Sequence, residues 1–435
     1  MDLRVCATGD LMLLESFPAN YDWQEIANAI QDCDVKITNL ETVVSSWDCF
    51  ASTFCGGQWI NTELDKLDDV KKFGFNLYGC ANNHSMDYSF DGLLSTRKAL
   101  FERSMLFAGI GRSLDESSQA VYYSVPGKDI TVAFLSVTTT FIDAARAGNS
   151  RGEIPSRPGV NPLRVQTKYF VSQKHFIQLS EIAAATYING ERDCARKIGS
   201  LPPEEKGSIN FGGHFFVVSD DGAEGKFTYC NQNDLDRILS EIKMAKEKAD
   251  HVIISVHSHQ IKKDTYVEPD YFLEEFAHKC IVKGVSAVIG SGTHQLKPIE
   301  IYKGKPIFYS LGNFVFQSCL IKRLPADFWD KYHYPTELTV EEGLSIKTHN
   351  GTIGLEIDKS NYLSIIPIID FKGDEVAEIK LLPVELMFND ERKFKGLPRK
   401  ADIQDTIAIY EQLKSISNLY GTRFELDGDY IKVEI

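Results

Sequence analysis

Five short apolar or β-branched runs in this chain each stop at a carboxylate, an amide or an imidazole, and this constrains the fold more than any bulk property. They are VCATGD ending at Asp10, VKITNLE ending at Glu41, LYGCANNH ending at His84, VIISVHSH ending at His259, and residues 285–289 followed by GSGTH ending at His294. Apolar runs of this length, punctuated by Gly or Asn, read as buried strands. The last run opens the central stretch GSGTHQLKPIEIYKGKPIFYSLGNFVF, residues 290–316, which reads as strand, turn, strand, a turn at Lys303-Gly304-Lys305 and a third strand reaching Gly312-Asn313.

Between these runs lie segments of helical spacing. Residues 21–33, 62–73 (with Asn61 as N-cap), 90–104, 234–248 and 268–282 carry apolar residues three and four apart. Strand–helix–strand alternation predicts a largely parallel sheet whose carboxyl ends share one cleft. Residues 140–215 and 317–352 break the pattern, with Pro, Gly, Arg and aromatic residues, and read as insertions covering that cleft. Residues 215–230 read as a hairpin turning at Asp221-Gly222. The resulting organisation is a main domain over 1–385 and an extension over 386–435, consisting of a helix at 402–419 and a hairpin turning at Asp427-Gly428.

Composition matters at three points. With 435 residues and 43% hydrophobic content, the chain can bury a sizeable core. A net charge of −14 argues against a nucleic-acid partner or an anionic membrane surface. The nine cysteines are odd in number and include no CxxC pair, so they are expected as reduced thiols. The opening MDLRVCATGD has no signal-peptide pattern, and no apolar run approaches the ~20 residues of a membrane span, so a cytoplasmic location and no membrane span are expected.

Strand-end side chains are held by the sheet and converge on one edge, as a metal site or an acid/base pair requires. Asp10, Glu41, Asn83, His84, His257, His259 and His294 form a set of hard oxygens and imidazoles, which suits Mn, Fe or Zn. A dinuclear site could clamp both oxygens of a displacement, leaving His84 as general acid. Arg157 and Arg164 flank Pro158-Gly159 and could bind a substrate carboxylate, and Asn313 is a further candidate for substrate contact. Cys80, in an apolar strand, reads as an inert buried thiol, and Asn82 as structural.

TGDLML, TNLETVV, CANNHSMDY, SRPGVNPLRV, VHSHQ and the central stretch together resemble the bacterial capsule-synthesis CapA family, also called poly-γ-glutamate biosynthesis proteins. The resemblance spans residues 8–316. It implies an α/β fold of the calcineurin-like metallophosphoesterase type: two mixed β-sheets flanked by helices. By that similarity Asp10, Asn83, His257 and His294 match metal or catalytic positions, and Asn82-Asn83-His84 matches the phosphoesterases' Gly-Asn-His. Asp10-Leu11-Met12 stands where those enzymes have Asp-x-His, and Glu41 stands where a bridging aspartate would be.

The expected function is a metal-assisted hydrolase or transferase acting on a peptide or poly-γ-glutamate-like, amide-linked substrate, with Asp10, His84, His294 and Glu41 as catalytic residues. Asp10, Asn83, His257 and His294 would hold the metal, with Glu41 and His259 as further ligands. One alternative is a metal- and cofactor-independent peptide epimerase, in which Asp10 and His294 exchange a Cα proton from opposite sides; some CapA-like proteins of ribosomal-peptide clusters resemble this case. Another is a non-catalytic capsule-assembly scaffold.

Overall fold

The computed structural model describes residues 2–435. Two mixed sheets pack face to face, with helices on both outer faces. The first runs through Leu106–Ala108, Leu77–Gly79, Val35–Leu40 and Asp2–Met12 as parallel neighbours. It continues antiparallel through Leu363–Lys372, Glu375–Glu385, Tyr430–Val433 and Phe424–Asp427. The second sheet has a parallel centre of Thr131–Thr138, His251–His257, Ala287–Ser291 and Lys305–Phe308. Antiparallel strands Val121–Ser124 and Ile299–Tyr302 close its edges.

The period of two along each strand builds three buried layers. Val5, Ala7, Val35, Ile37 and Leu77 of the first sheet meet Phe134, Ile253, Ala287 and Ile289 of the second. Cys6, Leu40 and Tyr78 point the other way, onto helical residues such as Ile26, Val70 and Leu93. Val252, Ile254 and Val288 point outward onto Leu235, Ile238, Phe272 and Phe276. This is the two-sheet α/β sandwich that the family resemblance implied.

Several local expectations are corrected. Residues 215–230 are not a hairpin: His214–Val218 pairs with Ser208–Phe211, and Gly225–Cys230 pairs with Val165–Val171. These strands form a separate four-stranded sheet, which docks on the Tyr271–Val282 helix through the Phe227–Tyr271 stack and a Thr228 hydroxyl bond to Asp270. It contributes nothing to the wall of the central hollow, whereas the 317–352 insertion does. Asn61 does not cap a helix over 62–73. It pairs in a short strand with the Val43–Val44 segment, its side chain binds Ser45, and helical turns begin only at Leu64.

Candidate metal and acid–base centre

The site grows out of the row of residues facing the gap between the sheets. Along Val35–Leu40, Val35 and Ile37 face the second sheet, and Asn39 and then Glu41 continue that row past the apolar core. Along His251–His257, Ile253 faces inward and His257 continues its row. Asp10 lies on the other parity from Val5 and Ala7. A register shift between Ala7 and Asp10 re-aims it inward, as bulges beside functional sites do.

Asp10 is fully buried; one oxygen accepts from Asn39 Nδ2 at 2.7 Å and the other from the Gly292 amide at 3.0 Å. Burial would raise its pKa, but the imidazoles of His257 and His294 and the Asn39 bond hold it below the ordinary value. His257 Nδ1 lies 3.5 Å from Asp10, 3.2 Å from Asn39 Nδ2 and 3.0 Å from Ser291 Oγ. Its Nε2 is crowded, with Asn83 Oδ1 at 2.6 Å, His259 Nε2 at 3.1 Å and Glu41 Oε1 at 3.4 Å.

Glu41 is fully buried, and neither carboxylate oxygen has a hydrogen-bond partner. Burial, followed by the charges of Asp10 and Asp87, pushes its pKa well above the ordinary value. His259 and His294 are pushed down, first by burial, and for His259 also by the neighbouring imidazoles. His294 sits at φ 61, a left-handed backbone uncommon for a residue with a side chain. Its Nδ1 lies 2.9 Å from Asn313 Oδ1, and the Asn313 amide donates to the Asn361 carbonyl at 2.9 Å.

His84 has a different support. Its Nδ1 lies 2.7 Å from Asp87, a fully buried carboxylate that also accepts from the Gly56 and Ile60 amides, each at 2.9 Å. The His84 amide donates to Asn82 Oδ1, so Asn82 shapes the turn that presents His84. A Cβ on Gly56 would stand 2.6 Å from Asn83 and 2.8 Å from the His84 ring, so only glycine fits there.

Donor atoms of Asp10, Glu41 and His257 lie within 4.8 Å of one another, and so do those of Glu41, His259 and His294. The two triads share Glu41. A shell of metal–ligand bonds of about 2.0–2.1 Å has edges of about 3.0–3.4 Å, the spacing of His257 Nε2 from Glu41 Oε1. Orphaned carboxylate oxygens facing imidazole nitrogens at shell-edge spacing fit one or two divalent cations.

The structure thus brings together Asp10, Glu41, Asn83, His84, His257, His259 and His294. It does not bring Arg157 or Arg164: Arg164 is locked in a two-pronged pair with Asp234, and Arg157 donates to the Arg146 carbonyl. Asn313 is fully buried with its amide committed, so it orients His294 and has no surface for substrate. The epimerase pair is likewise ill served, because Asp10 is fully buried and both of its oxygens accept hydrogen bonds. Sequence reasoning missed Asn39 and Asp87. Their signals were positional: Asn39 precedes Glu41 by two in the same run, and Asp87 follows His84 by three.

All nine cysteines are unpaired, and burial pushes the Cys80 thiol well up, consistent with an inert group. No helix among the described residues is long and apolar enough to cross a membrane.

Comparison with known proteins agrees with the motifs. The uncharacterized protein y4sH of Sinorhizobium fredii is 31% identical over 97% of this chain and 90% of its own length. The PGA biosynthesis protein CapA of Bacillus subtilis is 22% identical over 59% of this chain and 47% of its own. A phosphatase from Mycoplasma pneumoniae aligns over 95% of this chain and 99% of its own at a TM-score of 0.39 and 10% identity, a likeness too loose to bear on chemistry. The family model described as bacterial capsule synthesis protein PGA_cap matches residues 4–318, and the chain belongs to that family.

Proposed function

We propose that this protein is a metal-assisted hydrolase or transferase acting on an amide-linked substrate of the peptide or poly-γ-glutamate kind. The observation that carries the reading is the shared carboxylate: Glu41, fully buried and without a hydrogen-bond donor, belongs to two donor triads at once. A buried carboxyl with no hydrogen-bond partner is costly whether charged or protonated, and a cation shared with the facing imidazoles would remove that cost by ionising it. Asp10, Glu41 and His257 would hold one ion and Glu41, His259 and His294 a second, with Asn83 Oδ1 beside them as a neutral oxygen donor.

Divalent ions bound there would supply Lewis-acid polarisation of the scissile group and lower the pKa of water. The remaining work belongs to side chains. Asp87 accepts at Nδ1 of His84 and fixes the ring, which leaves Nε2 to exchange a proton with the leaving amine. Asn39 bridges Asp10 and His257, and Asn313 tethers His294 against its strained backbone. The name of the Bacillus subtilis relative, a PGA biosynthesis protein, supports the amide class of substrate.

The test is to strip the full-length protein with chelator, reload it with Mn, Fe or Zn, and count ions by elemental analysis. γ-Linked glutamyl oligomers and α-peptides are then screened for cleavage or transfer by mass spectrometry. One or two bound ions with metal-dependent turnover are expected. Absence of ion binding, or turnover that survives the chelator, would overturn the reading.

A further inference from the structure

His84 and His294 open onto a hollow of about 690 Å³ that also reaches Met12, Gly56 and Phe316. A volume of this size suits a small molecule. Its outer wall comes from Ile321, Leu344, Ile353, Leu355, Lys347 and Lys395, all beyond residue 318, where the family match ends.

The wall has two characters. Ile353 and Leu355 keep 45% and 49% of their surface exposed, although they stand beside a cavity where apolar cover is available. Lys347 and Lys395 have no carboxylate partner among the described residues, in a chain of net charge −14. Both ammonium groups are nonetheless held in place. Lys347 donates to Gln58 Oε1 at 2.9 Å and lies 5.4 Å from the Tyr332 ring. Lys395 donates to the Glu356 carbonyl at 3.0 Å and lies 4.7 Å from the Phe388 ring and 5.1 Å from that of Tyr362. The two acids of the wall are Glu341, which is paired with Arg392 at 2.9 Å, and Glu356. Three cations against two carboxylates leave one net positive charge on this wall, enough for a monoanion.

We propose that the site takes a small amide bearing one free carboxylate and an apolar chain, with Lys347 and Lys395 reading the carboxylate and Leu344, Ile353 and Leu355 covering the chain. This rests on the amide reading above, because it places the scissile bond toward His84 and His294. It narrows that reading from polymer to small amphipathic acid.

The test measures binding, so it does not depend on turnover. Chelator-treated full-length protein is titrated calorimetrically with N-octanoylglycine, with neutral N-octanoylglycinamide, and with a short γ-linked glutamate oligomer. N-octanoylglycine is expected to bind, and the neutral amide to bind about tenfold or more weakly, the worth of one charge-assisted contact. K347Q/K395Q should lose that discrimination at an unchanged melting midpoint, and K347R/K395R should restore it. Equal binding of acid and amide, discrimination that survives K347Q/K395Q, tighter binding of the oligomer, or no binding of any probe would overturn the proposal. Metal-dependent turnover that persists while these titrations fail would spare the hydrolase reading; loss of turnover with the titrations intact would do the reverse.

Discussion

Glu41 Oε1 lies 3.4 Å from His257 Nε2 and 4.0 Å from His84 Nε2, yet neither oxygen of this fully buried carboxylate has a hydrogen-bond donor. A carboxyl so placed, ionised or held protonated, costs the metal-free fold stability, and a cation would offset that cost. Replacing it with a neutral amide should therefore separate stability from function. Metal-free Glu41→Gln is expected to unfold at a higher temperature than the metal-free parent at neutral pH, because the parent must either bury a charge or hold this carboxyl protonated above its ordinary pKa, a cost the amide does not carry. Thermal scans with and without Mn²⁺ check this: the ion should raise the parent's midpoint and leave that of Glu41→Gln nearly unmoved.

Asp87 never touches the hollow, but it fixes His84 through Nδ1 while its oxygens hold the Gly56 and Ile60 amides. Asp87→Asn keeps the shape and removes the charge that orients the ring. Turnover should fall about 10–100-fold, as for other groups that orient a working histidine, while the ion count stays the same. A parallel loss of bound metal would show that Asp87 supports the ligands and not the proton-handling ring.

Arg164 is paired with Asp234. Arg164→Ala is expected to leave kcat and KM unchanged and to lower stability by about 1 kcal/mol, because the pair is partly solvent-screened. Steady-state kinetics beside urea unfolding would decide it, and a KM increase would return Arg164 to the substrate.

His251 gives the fold an acid limit remote from the candidate metal centre. It is 3% exposed, its Nδ1 lies 3.2 Å from Ser286 Oγ, and burial, followed by the charge of Lys246, pushes its pKa down to about 4. The folded state holds this ring neutral, while the unfolded chain protonates it near pH 6.5. Between those values the unfolded state binds more protons, so stability is intact above about pH 6.5 and falls as the pH drops toward 4. The loss amounts to about 3 kcal/mol at most. His251→Gln should flatten that limb of the stability–pH curve, measured by denaturant unfolding between those pH values.

Much of the site was legible along the chain because strand exits announce themselves. An apolar run stopped by Gly, Asn or His is a local signal, and Glu41, His84, His257, His259 and His294 all carried it. Asn39 and Asp87 did not, since an Asn within a strand pattern and an Asp in the turn before a helix have commoner explanations. Their roles depend on contacts with residues 218 positions away in one case and on two backbone amides in the other. Arg157 and Arg164 show the opposite case, residues whose partners the structure places outside the cluster. Arginines beside Pro-Gly are chemically able to bind a carboxylate, but nothing local reveals that Asp234 is already there.

By itself the sequence determined the strands, their order of polar exits and the kind of donors available, because hydrophobic period and turn residues act over a few neighbours. Which donors meet was decided only by the tertiary structure. The shift between Ala7 and Asp10 turns an outward-parity aspartate into the gap between the sheets, and Asn313 holds His294 in a backbone conformation it would not adopt alone. Both effects arise from register and packing between segments distant in the chain, and the balance of forces that sets them exists only once the two sheets have closed on each other.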